Sequence, residues 1–200
     1  MFYKIKKQEA MTIEQIKESS IGAWKSIATE IRPSSLKNED GTLKPFYLSR
    51  RFKYNADGTF ELEIMNYADA NGKLALAKMF IKGHVEWQGE HPIAESAQKV
   101  DFTADIAYEV TPLHPGFLAV LNKLATGDFN AWELNVSQSI FKKLFLPFGL
   151  AHGQVFKEYD LIYLNNNMLF WGARNIDGRG FDTEANRPTN LQIPMITSFD

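Results

Sequence analysis

The chain has 200 residues, no cysteine, and a net charge of −2 from 22 basic and 24 acidic side chains. The missing cysteine excludes disulfides, thiolate nucleophiles and Cys-ligated zinc or iron–sulfur centres. The near-neutral balance gives no electrostatic drive toward nucleic-acid phosphates, so no nucleic-acid partner is expected. The length suits one sizeable core, and 44% hydrophobic residues with 13% aromatics suit a folded, aromatic-rich domain.

The start, MFYKIKKQEA, is basic, but no apolar stretch of about 7–15 residues follows it, so a secretory leader is not expected. No run reaches the roughly 18–20 apolar residues of a transmembrane helix. A cytoplasmic protein is therefore expected. Residues 11–20 (MTIEQIKESS) predict a short helix with Thr12 as N-cap and Ile13 and Ile16 on one face, ending before Gly22.

Beyond it the period changes to two. Phe60, Leu62 and Ile64 alternate with Glu61 and Glu63. Val100, Phe102, Ala104, Ile106, Tyr108 and Val110 alternate with polar neighbours, among them Asp101, Asp105 and Glu109. Both runs predict half-buried strands whose carboxylates lie on the solvated face. Asp57-Gly58, Asn71-Gly72 and Asn165-Asn166-Asn167 punctuate the pattern at hairpin spacing. In residues 74–87 the apolar parity switches, which predicts a bulge near Ala77–Lys78 and a second bend at Gly83.

Residues 113–124, introduced by Pro112 and Pro115, predict a helix. Residues 137–145 (SQSIFKKLF) carry a weaker helical pattern, or else plug an opening; after Gly172 the chain turns loop-like. Serial hairpins in one small domain predict a mainly β fold: an antiparallel β-barrel or strongly curved sheet with one or two short helices, with an open sandwich as the competitor. The expected organisation is an N-terminal segment with a short helix over residues 1–20 and a single barrel domain over 21–200.

Catalytic signatures are lacking: there is no HExxH, GxSxG, GxGxxG or GxxxxGK[ST]. His84, His91, His114 and His152 lie far apart without ligand spacing, so no metal and no cofactor is expected. The carboxylates are not paired in a way that general acid–base chemistry needs. No enzymatic activity is expected on this reading.

More specific is a series of short motifs. Gly22-Ala23-Trp24-Lys25-Ser26 leads into Thr29-Glu30-Ile31-Arg32-Pro33, then Phe46-Tyr47-Leu48-Ser49-Arg50-Arg51-Phe52 and Tyr67-Ala68-Asp69. Later come Leu169-Phe170-Trp171-Gly172-Ala173-Arg174 with Asp177-Gly178, and Arg187-Pro188-Thr189-Asn190-Leu191-Gln192-Ile193-Pro194. In order and spacing this series resembles the adenomatosis polyposis coli down-regulated domain of animal Wnt antagonists, across about residues 21–196. The resemblance implies an antiparallel calycin- or lipocalin-like β-barrel or strongly curved sheet with a hydrophobic cavity that holds a lipid. It departs from the family in having no cysteine, Thr29 in place of a cysteine, and one domain where the animal members have two. The single domain makes a homodimer worth testing; a Wnt partner does not carry over.

Together these readings predict binding or sequestration of a hydrophobic small molecule or lipid, with Phe60, Leu62, Ile64, Phe102, Ile106 and Tyr108 lining the cavity. Trp24 is expected to close one barrel end, with Arg174 packed across it as in lipocalin relatives. Glu30, Arg32, Arg50, Arg51 and Arg187 are expected to form a polar cluster, either an ion-pair lattice or a carboxylate-binding site. Two alternatives stay open: an isomerase or hydrolase acting on an apolar substrate through an inward Glu30 or His84, and a haem-binding barrel resting on His84, His114 or His152.

Overall fold

The hairpin turns read from the sequence set the topology of a computed structural model that describes residues 11–198. Residues 1–10, half of the expected N-terminal segment, and residues 199–200 lie outside the described residues. In chain order the elements are α1 (Ile13–Ser20), β1 (Gly22–Ser26), β2 (Glu30–Lys37), β3 (Leu43–Tyr54), β4 (Thr59–Tyr67), β5 (Ala75–Glu90) and β6 (Gln98–Pro112). They continue with α2 (Pro115–Leu124), β7 (Gln138–Ser139), β8 (Lys157–Asn165), β9 (Met168–Trp171) and β10 (Met195–Thr197).

All strand pairs are antiparallel, in the order β1-β10-β9-β8-β6-β5-β4-β3-β2, with β7 on the flank of β6. β1 also pairs with β3, so the path returns on itself and eight strands close into a ring. β3 is long enough to hold two partners on one edge. Its C-terminal half pairs with β1 (Trp24 opposite Phe52), and its N-terminal half pairs with β2 (Glu30 opposite Leu48).

Both predicted helices form. Thr12 caps α1 in a reciprocal box: its hydroxyl accepts from the Gln15 amide at 3.3 Å, and the Gln15 side chain accepts from the Thr12 amide at 2.9 Å. At α2, Pro115 occupies the first turn and the Gly116 amide donates to His114 Nδ1 at 3.0 Å. Residues 137–145 are not helical. Gln138 and Ser139 add a short strand to β6, the Ile140 amide donates to the Tyr108 carbonyl, and Lys142 adopts a left-handed backbone.

The parity switch in β5 is a bulge at Leu76, since Asn66 faces Ala77 and Tyr67 faces Ala75. A second irregularity lies at Gly83. Lys82 faces Ala107 and His84 faces Thr103, so three residues of β6 stand opposite one residue of β5. This distortion turns Ile106 outward, where it is 43% exposed, while Phe102, Ala104 and Tyr108 stay inside. The expectation that Ile106 lines the interior is therefore corrected. The close crossing also explains the glycine, because a Cβ at residue 83 would overlap the Thr103 carbonyl oxygen.

The interior is filled mainly by rings. Phe52 meets Tyr54 at 4.3 Å, Trp171 at 4.5 Å, Phe60 at 5.5 Å and Phe102 at 5.6 Å between centroids. A second aromatic group, Phe129, Trp132, Phe145 and Phe148, comes from the excursion between β6 and β8 and reaches the barrel at Tyr108. At the other end Trp24 is buried and donates its indole N–H to the Ser20 carbonyl at 2.8 Å, which ties α1 to β1.

Gly83→Ala is expected to destabilise the fold by about 1–3 kcal/mol through forced separation of β5 and β6. Gly127→Ala, whose added methyl meets open space, should stay within about 0.5 kcal/mol. Urea unfolding of both variants checks the pair.

Candidate functional site

Between β1 and β2 the chain turns a corner, and the middle of β3 loses its strand partner there. Ser26 supplies the missing acceptor: its hydroxyl oxygen accepts from the Arg50 amide at 3.0 Å and donates to Glu30 Oε1 at 3.0 Å. Glu30, only 1% exposed, then takes two guanidiniums. Arg50 Nε donates to Oε1 at 2.7 Å, and Arg32 donates to Oε2 through Nε at 3.0 Å and a terminal nitrogen at 2.7 Å. Burial opposes the charge on Glu30, but Arg50 and Arg32 outweigh it and hold the carboxyl below its usual range.

Three of the five residues of the expected polar cluster thus meet, and two do not. Arg51 lies on the exposed outer face of β3, because its parity is opposite to that of Arg50. Arg187 anchors a separate lattice outside the barrel, donating to Asp101 and Glu184 at 2.6 Å each and to the Val100 and Asp160 carbonyls. The returning tail covers that patch. Asp101, expected on a solvated face, is accordingly buried.

The expected Trp24–Arg174 stack is also corrected. Arg174 lies over Phe46 at 5.3 Å and donates to the Gly178 carbonyl, while the guanidinium seated on an indole is Arg50, 4.3 Å from the Trp171 ring. Trp171 is in turn stacked on Phe102 at 4.9 Å. A continuous line of contacts therefore runs from Glu30 through Arg50 and Trp171 into the ring-filled interior.

Of the expected cavity residues, Phe60, Leu62, Phe102 and Tyr108 are buried in the barrel and Ile64 is half-buried. Phe60, Leu62 and Phe102 share an internal cavity with Ile81, Ala104, Phe156, Glu158 and Trp171. Its volume is about 10 Å³, close to the room of one water molecule. A wider open groove of about 690 Å³ lies at the α1 end, between Ser19, Ile21, Trp24 and the Asn165–Asn167 turn.

Sequence reasoning missed the inner face of β8. Glu158 and Asp160 share the parity of the apolar Ile162 and Leu164, which was the available signal. Burial, followed by the neighbouring charge of Glu158, pushes Asp160 up to about 7. Its Oδ1 accepts from the Leu161 amide at 2.7 Å and the Gly172 amide at 2.9 Å. Burial also raises Glu158, against the pull of Arg32, Arg50 and Arg174. Several buried polar atoms in the described residues have no hydrogen-bond partner, including Arg50 Nη2, Trp171 Nε1 and Tyr54 Oη.

The histidines sit elsewhere. His84 is exposed and bonds Asp105 at 2.9 Å, His91 bonds the Pro188 carbonyl at 3.0 Å, His114 caps α2 and His152 is exposed. Among the described residues no group of three or more His, Asp or Glu side chains is arranged to hold a metal ion, and no helix is long and apolar enough to cross a membrane. No family model matches the chain, and no curated protein does either.

Two outcomes follow. Glu30→Ala leaves Arg32 and Arg50 buried without their carboxylate and should cost about 3–5 kcal/mol, read by urea unfolding at pH 7. Asp160 holds a proton in the folded protein that the unfolded chain releases near 3.8, so its contribution is complete below that pH and is lost as pH rises to about 7. Asp160→Asn, which keeps an acceptor oxygen, should flatten the fall in melting temperature across that window and raise it at pH 8.

Proposed function

We propose that the chain binds one apolar small molecule or lipid inside its barrel and catalyses no reaction on it. The observation that carries this reading is the way one end of the barrel is closed. Residues 113–156 run outside the ring of eight strands apart from the short β7 on β6, and their rings cover that end. Phe148 and Phe156 rest on Tyr108 at 6.2 and 5.7 Å, and Phe145, Phe129 and Trp132 pack behind Phe148. Each methylene of a guest taken from water contributes about 0.8 kcal/mol. The resemblance to the adenomatosis polyposis coli down-regulated domain supports the same ligand class.

Uptake on this reading requires the plug to move, since the present cavity of about 10 Å³ cannot take an acyl chain. That small volume favours a second reading, a permanently filled barrel that serves as a scaffold. A neutral apolar dye such as Nile red separates the two. On the binding reading the protein takes up about one dye per chain, and Phe148→Ala, which opens the plug, binds several-fold more tightly. Absence of uptake by both proteins, each with an unchanged circular dichroism spectrum, overturns it in favour of the scaffold.

A further inference from the structure

We propose that the ligand is an apolar carboxylic acid, and that its carboxylate is read by Arg50 and Trp171. This rests on the reading of the barrel as a ligand-binding site and adds the chemistry of the ligand's polar end.

Hydrogen-bonding capacity in the interior is unbalanced toward donors. Both oxygens of Glu30 are already engaged, by Ser26, Arg32 and Arg50. Asp160 Oδ1 is taken by two backbone amides. Five buried side-chain atoms among the described residues are left without a partner: the donors Arg50 Nη2, Trp171 Nε1 and Trp132 Nε1, the hydroxyl of Tyr54 and the acceptor Gln98 Oε1. Arg50 and Trp171 are each at least 97% buried. Leaving such donors unpaired costs roughly 1–3 kcal/mol each, more for a charged group. The guanidinium lies 4.3 Å from the indole ring, so the two donors belong to one locus. Trp171 also lines the internal cavity, which is otherwise walled by apolar side chains and Glu158.

Neither of these two donors has an acceptor. A hydroxyl or amine brings a further donor, and a cation meets Arg32, Arg50 and Arg174. A carboxylate brings two acceptor oxygens and the charge that a guanidinium favours. Glu158 shares the wall of this cavity, where burial raises its carboxyl against the pull of Arg32, Arg50 and Arg174. With the head group at Trp171, an apolar tail passes Phe102 and Leu62 toward the ring plug at Tyr108.

The experiment compares cis-parinaric acid with its methyl ester on the full chain by fluorescence titration at pH 7.5. The wild type should bind the acid at least tenfold more tightly than the ester. Trp171→Phe keeps an aromatic side chain but removes the N–H together with part of the indole; it should erase most of that preference while the circular dichroism spectrum stays that of the wild type. A purely structural role for Trp171 would not shift the acid-to-ester ratio. Equal binding of acid and ester by the wild type overturns the inference and leaves apolar binding standing. An acid preference that Trp171→Phe leaves intact overturns the assignment to this locus. Binding of neither probe, with no Nile red uptake, overturns the underlying reading instead. The wild-type ratio decides even if the variant fails to fold.

Discussion

Everything inside this barrel depends on one buried carboxylate held between two guanidiniums. The ring of strands closes where β1 pairs with β3, and β2 shares that same edge of β3. That arrangement leaves a corner where sheet hydrogen bonding stops. Ser26 and Glu30 take over there, and Arg32 and Arg50 neutralise the charge that Glu30 brings inside. A buried ion pair of this kind adds little net stability over an apolar substitute, yet removing one member is costly. Its consequence is positional: Arg50 is set on Trp171, and Trp171 then braces Phe52 and Phe102.

From that corner outward the barrel has two chemically different zones. One is the layer where Arg32, Arg50 and Arg174 act on Glu158, with Asp160 two residues further along β8. The other is the aromatic stack that continues through Tyr108 into the plug formed by residues 113–156. A polar end joined to an apolar body is the chemistry of an amphipathic ligand, and the proposed carboxylic-acid ligand follows from that juxtaposition. The lattice around Arg187 serves a different purpose. It clamps the returning tail over β6 and β8, burying Asp101 on the outer face.

Much of the fold was legible because strand period and turn chemistry are local. Asp57-Gly58, Asn71-Gly72 and the Asn165–Asn167 run each join the strands that they were expected to join. The capping box at Thr12 and Pro115 at the start of α2 are equally local. What failed was non-local. Ile106 follows the inward parity of β6 but sits in a distortion created by the crossing at Gly83. Asp101 obeys the outward parity, yet the tail covers it. Sequence spacing pairs Trp24 with Arg174, whereas the strands that meet at the corner place the Arg50 guanidinium on Trp171. Glu158 and Asp160 carry the same local signal, since they share the alternation of Ile162 and Leu164 along β8.

The most direct measurement of the central claim, that the barrel holds an apolar ligand, is native mass spectrometry of the full chain purified without detergent, paired with mass analysis of its organic extract. The account predicts a bound species of one molecule per chain that releases an aliphatic or aromatic carboxylic acid into the extract. A spectrum showing only the bare polypeptide mass, with an extract free of any such molecule even after incubation with a fatty-acid mixture, would contradict it.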